Sequence, residues 1–327
     1  MIQENDSAAR KRKERFMQYR GMKDVLDFFT SRERIFKFFD NRHLLDWMDD
    51  EKYLKLAFRA KMGYPLDLKN PRTFNQKLQW LKLYDRKPLY TQMVDKYAVR
   101  QYIAEKIGAE HLIPLVGGPW NSAEEIEFDA LPEQFVLKCN HDSGGLVVCR
   151  DKSRLDIEAV KKKLDQHLKV NYYTGGREWP YKNVKPCIFA EQYMEDVRQK
   201  SGLIDYKFFC FNGQARFLYV SQGLEDHATA HISFYDLEGN ALPFKRTDFA
   251  AFDNLPYKPE GLGKMIELAN VLAQAVNCPF LRVDLYEIGG KIYFSELTFT
   301  PCSGMLPFAP PEWDETIGGW LKLPEKE

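Results

Sequence analysis

The chain has 327 residues, of which 44% are hydrophobic and 29% are charged, so it is long enough for two or three subdomains around a large core. Lys plus Arg and Asp plus Glu each number 47, and this balance gives no overall positive field that would favour nucleic acid. No apolar run approaches the ~18 to 20 residues of a membrane span, and the polar start lacks the apolar core of a signal peptide.

Six cysteines stand at positions 139, 149, 187, 210, 278 and 302. They form no CxxC pair and have no His partner at zinc spacing, so none is predicted to bind a metal or to act as a nucleophile. Their pattern is typical of reduced thiols in a reducing compartment, and we therefore expect a cytoplasmic protein.

The first twenty residues are rich in basic side chains. Three acidic residues accompany six basic ones, which are Arg10, Lys11, Arg12, Lys13, Arg15 and Arg20. A frayed, solvated terminus explains this composition, and contact with an acidic lipid surface at the inner face of a membrane is the alternative. Residues 16–60 then predict several amphipathic helices whose many aromatic side chains favour core packing over a membrane-facing helix.

Two helices are predicted next. One begins near Phe74 after a Pro-bounded loop. The second covers "LYTQMVDKYAVRQYIAEKIG" and ends at Gly108, a residue typical of helix C-termini. This pattern places Lys96 on a helix.

From Gln134 onward the chain alternates strand and helix patterns. The predicted strands are "QFVLKCN", the segment after "HDSGG", "CIFAEQYM", "DYKFFCFNG" and "QARFLYV". The predicted helices are "SRLDIEAVKKKLDQHLKV" and "GLGKMIELANVLAQAV", and a strand pair follows within Leu281–Met305. This order predicts an α+β, or mixed α/β, protein with largely antiparallel sheets.

Charged residues occur at specific places in these strands. Lys138 ends a predicted strand just before a glycine-containing loop, an arrangement that suits phosphate because backbone N–H groups can surround its oxygens. Lys207 lies inside an apolar strand, where a cation needs a partner or a ligand. Glu191 and Gln192 end another apolar strand, whose edge could read an adenine.

The strand pair "LRVDLYEIGGKIYFSELTFTPCSGM" allows two registers. A two-residue Gly-Gly turn pairs Asp284 with Ser295, and the two carboxylates then point to opposite faces. A three-residue loop instead brings four pairs to one face: Ile288 with Ile292, Tyr286 with Phe294, Asp284 with Glu296, and Arg282 with Thr298. Facing carboxylates repel unless a cation lies between them, so the second register predicts a hard divalent metal.

In residue type, order and spacing these features resemble the ATP-grasp superfamily. The segments "NPRTFNQKLQWLKLYDR", "LKCNHDSGG", "AEQYMED", "DYKFFCFNG", "RVDLY" and "ELTFTPCSGM" resemble its TupA-like branch, which is linked to teichuronopeptide and surface-polysaccharide synthesis. The resemblance extends from about residue 50 to 323. It implies an N-terminal helical region at 1–70 and two subdomains whose antiparallel sheets hold ATP, at 71–190 and 191–327.

The resemblance also implies site residues. Those that would bind ATP are Lys96, Lys138, Ser143, Gly144, Gly145, Glu191, Gln192, Met194 and Glu195. Those that would bind Mg²⁺ are Asp284, Glu296 and Thr298, the last of which stands where many ATP-grasp enzymes have Asn. Those expected to be catalytic are Arg282, His141 and Lys207. Arg177 and Lys182 are expected to bind substrate, because "NHDSGG" and "REWPYKN" have no general ATP-grasp counterpart.

The implied activity is that of an ATP-dependent carboxylate-amine ligase. Its product would be an amide between an amino acid and a uronic acid of a surface polysaccharide or its precursor. A glycosyltransferase is the first alternative, although no Asp-x-Asp motif occurs and "MDDEKY" lies on a predicted helix. A nucleotide-binding scaffold without catalysis is the second alternative. The oligomeric state is left open.

Overall fold

The computed structural model describes residues 31–196, 198–199, 202–223, 230–253 and 258–325. The described residues fall into two compact units, one ending at Leu66 and the other beginning at Asp67. The basic segment at residues 10–20, for which a solvated terminus was expected and lipid contact was the alternative, lies outside the described residues. Within the described part, no helix has the length and apolarity needed to cross a membrane.

The first unit contains two helices, α1 (Arg32–Asp40) and α2 (Asp50–Met62). Ser31 and Asp49 cap their N-termini, because each side chain accepts a backbone N–H of the first turn. Gly63 ends α2 with φ of 83°, the left-handed conformation that glycine adopts without strain. The buried rings of Phe36 and Tyr53 join the two helices in an edge-to-face contact.

The second unit begins with three helices: α3 (Phe74–Tyr84), α4 (Pro88–Val94) and α5 (Val99–Ile107). Thr73 and Gln76 form a capping box at the start of α3, near the predicted position. The single helix predicted up to Gly108 is wrong, because it breaks between α4 and α5. The Asp95 carboxylate accepts the N–H groups of Tyr97 and Ala98 at 2.9 Å each, and this local bonding competes with helix continuation.

A four-stranded antiparallel sheet follows, in the order β1-β4-β2-β3. Its strands are β1 (Leu115–Trp120), β2 (Phe135–Cys139), β3 (Leu146–Cys149) and β4 (Ile188–Gln192). Helix α6 (Ile157–Leu168) packs on this sheet through Val160 and Leu164. Strand β1 was not predicted, since it contains two glycines and Pro119, which an edge strand tolerates.

A five-stranded antiparallel sheet has the order β10-β9-β5-β6-β7. Its strands are β5 (Asp205–Phe211), β6 (Gln214–Gln222), β7 (His231–Tyr235), β9 (Phe280–Ile288) and β10 (Lys291–Thr298). Two short strands, β8 (Lys245–Arg246) and β11 (Phe308–Ala309), pair separately. The remaining helices are α7 (Leu262–Val276) and α8 (Glu312–Trp320). The predicted α+β class with antiparallel sheets is confirmed.

The two faces of the five-stranded sheet differ in chemistry because side chains alternate along a strand. One face, including Phe208, Val283 and Leu285, forms an apolar core with α7. The other face carries buried aromatic rings at one end, including the stacked pair Phe209 and Phe217. Charged residues occupy the rest of that second face. The sheet thereby places a group of charges on a rigid, largely dry surface.

Candidate functional site

The strand pair β9–β10 contains a β-bulge that decides which residues face each other. Near the Gly289-Gly290 turn the register is that of a two-residue loop, with Phe294 opposite Leu285. The register then shifts by one residue between Phe294 and Glu296. The predicted apolar pairs Ile288 with Ile292 and Tyr286 with Phe294 are therefore wrong.

Beyond the bulge, Glu296 faces Asp284 and Thr298 faces Arg282, as the alternative register predicted. Each of the two registers predicted from the sequence was uniform along the strand pair. The structure has the register of the two-residue turn near Gly289-Gly290 and the register of the three-residue loop beyond the bulge. The extra residue is Ser295, and its insertion returns Glu296 to the face that carries Asp284.

The two facing carboxylates are held by three cations of the protein. Asp284 is fully buried, and its oxygens accept from Lys207 Nζ and from Arg282 Nε and Nη2, each at 2.7 Å. Arg282 Nη2 also donates to Glu296 at 2.8 Å, and Lys96 Nζ lies 3.8 Å from the other oxygen of Glu296. These five residues form the site's ion network.

The environments of the two carboxylates differ. Burial raises the pKa of Asp284 and outweighs the opposing effect of Arg282 and Lys207. Burial also disfavours ionisation of Glu296, but there Lys96, Arg282 and Lys207 prevail and lower its pKa to about 2. Glu296 is thus the readily ionised carboxylate, and its side chain is 29% exposed whereas that of Asp284 is inaccessible.

Lys96 lies in the break between α4 and α5 and connects the two sheets. Its backbone N–H donates to Asn140 at 2.9 Å, and its Nζ donates to the carbonyl of Asp142 at 2.6 Å. Both acceptors belong to the glycine loop, residues 140–145, that follows β2. Since Nζ is also near Glu296 of β10, Lys96 brings the loop of the smaller sheet to the ion network of the larger one.

The glycine loop is fixed by its own side chains and by α6. The Asp142 carboxylate accepts the N–H of Gly145 at 2.9 Å and contacts Nδ1 of His167. A Cβ added at Gly145 would lie 2.6 Å from Cβ of Cys139, so this position requires glycine. Ser143 and Gly144 form the exposed tip of the loop.

His141, predicted as an acid or base, is buried in the same loop. Its Nε2 is 3.1 Å from the carbonyl of Val170, and its Nδ1 is 3.3 Å from Oδ1 of Asn140. Burial lowers the pKa of His141. In this position its ring fastens the loop to the end of α6.

Lys138 and Glu191 form a second charged group, on adjacent strands β2 and β4. Glu191 is buried and accepts from Lys138 Nζ and from Arg100 Nη1, each at 2.6 Å. Its carboxylate is therefore engaged by two cations of the protein. The next predicted adenine contacts, Gln192 and Met194, lie at and just after the end of β4, and Glu195 is exposed beyond them.

The segment around "REWPYKN" adds further polar groups. Glu178 is buried and accepts from the hydroxyls of Thr300 and Ser303. Arg177 is also buried and has a positive φ of 54°. Arg177 and the exposed Lys182 both lie against the ring of Tyr173, at 5.4 and 4.9 Å from its centroid.

Several residues at this site were not singled out in the sequence. They are Arg100, His167 and Tyr219. Arg100 stands four residues after Lys96, a spacing that would have been a signal only if both lay on one helix. His167 and Tyr219 give no local signal, because their partners Asp142 and Arg282 are distant in sequence.

The donor set fits nucleotide phosphates and magnesium. Lys96 provides an ammonium group bonded to the glycine loop, and Lys138 provides another on the strand that leads into this loop, a combination that suits phosphate oxygens. No group of three or more His, Cys, Asp or Glu that could hold a metal occurs in residues 31–325 as far as they are described. Mg²⁺ commonly takes only one or two carboxylates and completes its octahedron with phosphate oxygens and water. Glu296, with Asp284 behind it, matches that requirement.

Comparisons with known proteins agree with this fold. The sequence model of the TupA-like ATP-grasp family matches residues 76–322. No curated protein matches the chain. A solved D-alanine–D-alanine ligase from Bacillus anthracis, complexed with ATP, is 15% identical, with 64% of this chain and 54% of that chain covered and a TM-score of 0.36.

Two other solved structures are similar at the same level. An L-amino acid ligase from Bacillus licheniformis is 14% identical over 79% of this chain and 57% of that chain, with a TM-score of 0.42. A D-alanine–D-alanine ligase from Helicobacter pylori is 15% identical over 76% and 69%, with a TM-score of 0.41. The chain thus spans little more than half the length of the first two proteins.

Proposed function

Because the chain belongs to the TupA-like ATP-grasp family, we propose that it is an ATP-dependent ligase that joins a carboxylate to an amine. The reaction would transfer the γ-phosphoryl group of ATP to a substrate carboxylate, after which the amine attacks the acyl carbon and displaces phosphate. ADP, phosphate and an amide are then the products. Such chemistry depends on positioning and charge stabilisation more than on a protein nucleophile.

The observation that carries this proposal is the ion network. Arg282 and Lys207 are fixed by Asp284 in a buried setting, so their charges need no reorganisation when negative charge develops nearby. Lys96 reaches the network from the break between α4 and α5, where it is bonded to the glycine loop of the other sheet. Two rigid elements thereby direct cations to one place, which is what phosphoryl transfer requires.

Each residue of the network has a proposed role. Lys96, Lys138 and the loop tip at Ser143 and Gly144 bind phosphate oxygens, whereas Gly145, buried with its N–H donated to Asp142, supports the loop. Arg282 and Lys207 stabilise the transferred phosphoryl group. Glu296 and Thr298 would hold Mg²⁺, whereas Asp284, expected from the sequence as a further ligand, is inaccessible and instead holds Lys207 and Arg282 in place. When bound, the metal would neutralise phosphate charge and orient the phosphates.

The remaining assignments concern the nucleotide base and the substrates. Gln192 and Met194 are proposed to contact adenine, and Glu195 the ribose hydroxyls. Glu191 is proposed to hold Lys138 in place, because Lys138 and Arg100 already engage its carboxylate. Arg177 and Lys182 are proposed to bind the acyl or amine substrate, with His141 positioning the loop rather than transferring protons.

An amino acid and a uronic acid are the first substrate pair to test. The support for this pair is the association of the TupA-like branch with surface polysaccharides. ATP supply places the proposed reaction in the cytoplasm. The glycosyltransferase alternative receives no support from "MDDEKY", since Asp49 caps helix α2 and accepts the N–H of Lys52 at 3.0 Å.

Thermal unfolding in the presence of nucleotides tests the proposal. A ligand that binds only the folded state raises the melting temperature by mass action. We expect Mg²⁺ with ATP to raise it and UDP-sugars to leave it unchanged. Glu296→Gln should remove the magnesium-dependent part of the shift and lower ADP formation at least ~100-fold, because a metal ligand is lost.

Glu267→Gln is the matched control, since this exposed carboxylate on α7 pairs, within the described part of the chain, with nearby Lys264, 3.0 Å away. It should retain the full response to ATP. A shift with one UDP-sugar and none with ATP would overturn the ligase proposal. A shift with ATP but no ADP release with any amine and carboxylate would favour the non-catalytic nucleotide-binding alternative.

A further inference from the structure

The first compact unit exposes four large apolar side chains within ten residues. Their exposed fractions are 38% for Phe38, 42% for Phe39, 49% for Leu44 and 81% for Trp47. We call these four residues the apolar patch. Isolated exposed apolar side chains are ordinary, but a contiguous group of them marks an interaction surface.

The patch is a continuous, structured surface. The rings of Phe38 and Phe39 are in edge-to-face contact, with centroids 5.5 Å apart. Leu44 donates its backbone N–H to the carbonyl of Phe39 at 3.1 Å, and the indole N–H of Trp47 donates to the carbonyl of Leu44 at 2.9 Å. Phe36, on the same helix, points inward and is buried. The backbone at the end of α1 and in the following turns therefore holds these side chains on the surface of the unit.

Cations surround the patch. The Arg42 guanidinium lies 3.8 Å from the centroid of the Phe38 ring and donates to the carbonyl of Phe38 at 3.2 Å. Arg34 and Arg42 are exposed, and neither forms an ion pair with a carboxylate of the described residues. By contrast, Lys37 and His43 are paired with Glu33 and Asp46. Asp40, beside Phe39, accepts the hydroxyl of Tyr53 at 2.7 Å and forms no ion pair with a described residue, so the two guanidinium groups outnumber the carboxylate left without a cation at the patch.

The sequence immediately before this unit adds to that charge. Residues 10–20 contain six Lys or Arg and a single acidic residue, Glu14. This basic stretch precedes Ser31, the N-cap of α1, by only ten residues. A basic segment next to exposed aromatic side chains combines the two contributions that hold peripheral proteins on anionic bilayers.

We infer that the apolar patch, with Arg34 and Arg42, docks on the surface of an anionic lipid bilayer. Trp47 suits this role because its indole N–H already has a carbonyl partner, so its ring can leave water without an unpaired donor. The guanidinium groups can remain at the level of the lipid phosphates while the rings enter below them.

A second copy of the chain is a less suitable occupant. In a two-fold interface the same patch of both copies meets, so the excess of positive charge at one patch would face the same excess at the other. Neither Arg34 nor Arg42 has a carboxylate partner in an ion pair among the described residues. Anionic headgroups supply the missing negative charge. The inference does not depend on the reaction proposed above.

Sedimentation with lipid vesicles tests the inference on the full chain. Vesicles of phosphatidylcholine with roughly 30% phosphatidylglycerol should carry the protein into the pellet, whereas pure phosphatidylcholine should carry much less. Phe39→Ser with Trp47→Ser should reduce the affinity about tenfold or more, because the patch loses its most exposed rings. Arg34→Gln with Arg42→Gln should weaken only the part of binding that depends on phosphatidylglycerol and on low salt.

Leu56→Ser is the matched control. This residue is another exposed leucine of the same unit, 44% exposed on α2, and it lies outside the patch. Its variant should bind vesicles like the wild type. Circular dichroism should show all variants folded, since every substituted side chain is exposed.

Three results would overturn the inference. The wild type could remain in the supernatant with anionic vesicles, or the Phe39 and Trp47 variant could bind as well as the wild type. Light scattering after size exclusion could instead reveal a dimer that dissociates in that variant. The last result would assign the patch to a second copy of the chain.

Discussion

Asp284 and Glu296 show how two identical functional groups, directly opposite in a sheet, acquire different tasks through burial. Asp284 is inaccessible and is bonded to Lys207 and Arg282. Glu296 is partly exposed, and its pKa is lowered to about 2 once the cations outweigh the burial that opposes ionisation. Asp284 therefore holds the cations in place, whereas Glu296 is available for a ligand.

This difference predicts unequal costs of substitution. Asp284→Asn should lower the free energy of unfolding by about 3–5 kcal/mol, because it removes the carboxylate that both buried cations contact and leaves, among the described carboxylates, Lys207 only Asp205 at 3.4 Å and Arg282 only Glu296 at 2.8 Å. Glu296→Gln should cost less, about 1–2 kcal/mol, because solvent reaches part of that side chain and screens its pairs with Arg282 and Lys96. Urea denaturation of the two variants measures both values.

Adding Lys207→Met to Asp284→Asn should restore part of the stability, since one of the uncompensated cations is then removed. Equal destabilisation by Asp284→Asn and Glu296→Gln would contradict the division of tasks. A double variant less stable than Asp284→Asn alone would show that Lys207 is held by something other than Asp284.

At the residue scale, the sequence singled out charged residues that the structure brings together, but not their partners. Arg282, Asp284 and Glu296 stood out because charges interrupt apolar strands. The contact of Glu191 with Arg100 joins residues 91 positions apart, and only the fold brings them together. The sequence predicted that Glu191 faces a nucleotide base. It gave no sign that Lys138 and Arg100 bind the Glu191 carboxylate.

At the scale of elements, two local interruptions create the site. Asp95 breaks the helix that the sequence pattern predicted as continuous, and the break carries Lys96. Ser295 is the extra residue of the β-bulge and returns Glu296 to the face of Asp284. The periodicity of apolar residues predicts regular helices and strands well. It does not detect a single side chain that breaks a helix or a single residue inserted into a strand. The elements were therefore predictable, and their interruptions were not.

The glycine loop and α6 form a second element-scale device. Adjacent residues His141 and Asp142 both engage the end of that helix, through Val170 and His167. Asp142 also carries the carbonyl to which Lys96 donates. The helix end thus determines where the loop holds Lys96.

We expect His167→Leu to raise the Kd for Mg²⁺ with ATP about tenfold, because the loop loses one of its attachments and samples other positions. His167→Asn should restore most of the affinity, since its amide N–H₂ can replace Nδ1 as donor to Asp142. Isothermal titration measures both. A loss in both variants, or in neither, would show that the hydrogen bond to Asp142 does not position the loop.

At the scale of the whole second unit, the two sheets meet through few polar contacts. Lys96 is bonded to the loop of the four-stranded sheet and lies 3.8 Å from Glu296 of the five-stranded sheet. The sequence predicted largely antiparallel sheets and the charged residues on their strands, but not the order of strands within each sheet. The sequence could not show that Lys96 contacts residues of both sheets, because the pattern placed Lys96 within a regular helix.

This connection predicts a coupled response to ligand. Mg²⁺ with a non-hydrolysable ATP analogue should slow amide hydrogen exchange at least about tenfold in residues 140–146 and in residues 282–298 together, because both surround Lys96. Peptides from α7 serve as internal reference, since that helix packs on the opposite face of the sheet. In Lys96→Met, the two segments should no longer gain equal protection from exchange, and one should retain more protection than the other. Protection confined to one segment in the wild type would mean that the nucleotide binds to a single sheet, and the shared site would have to be abandoned.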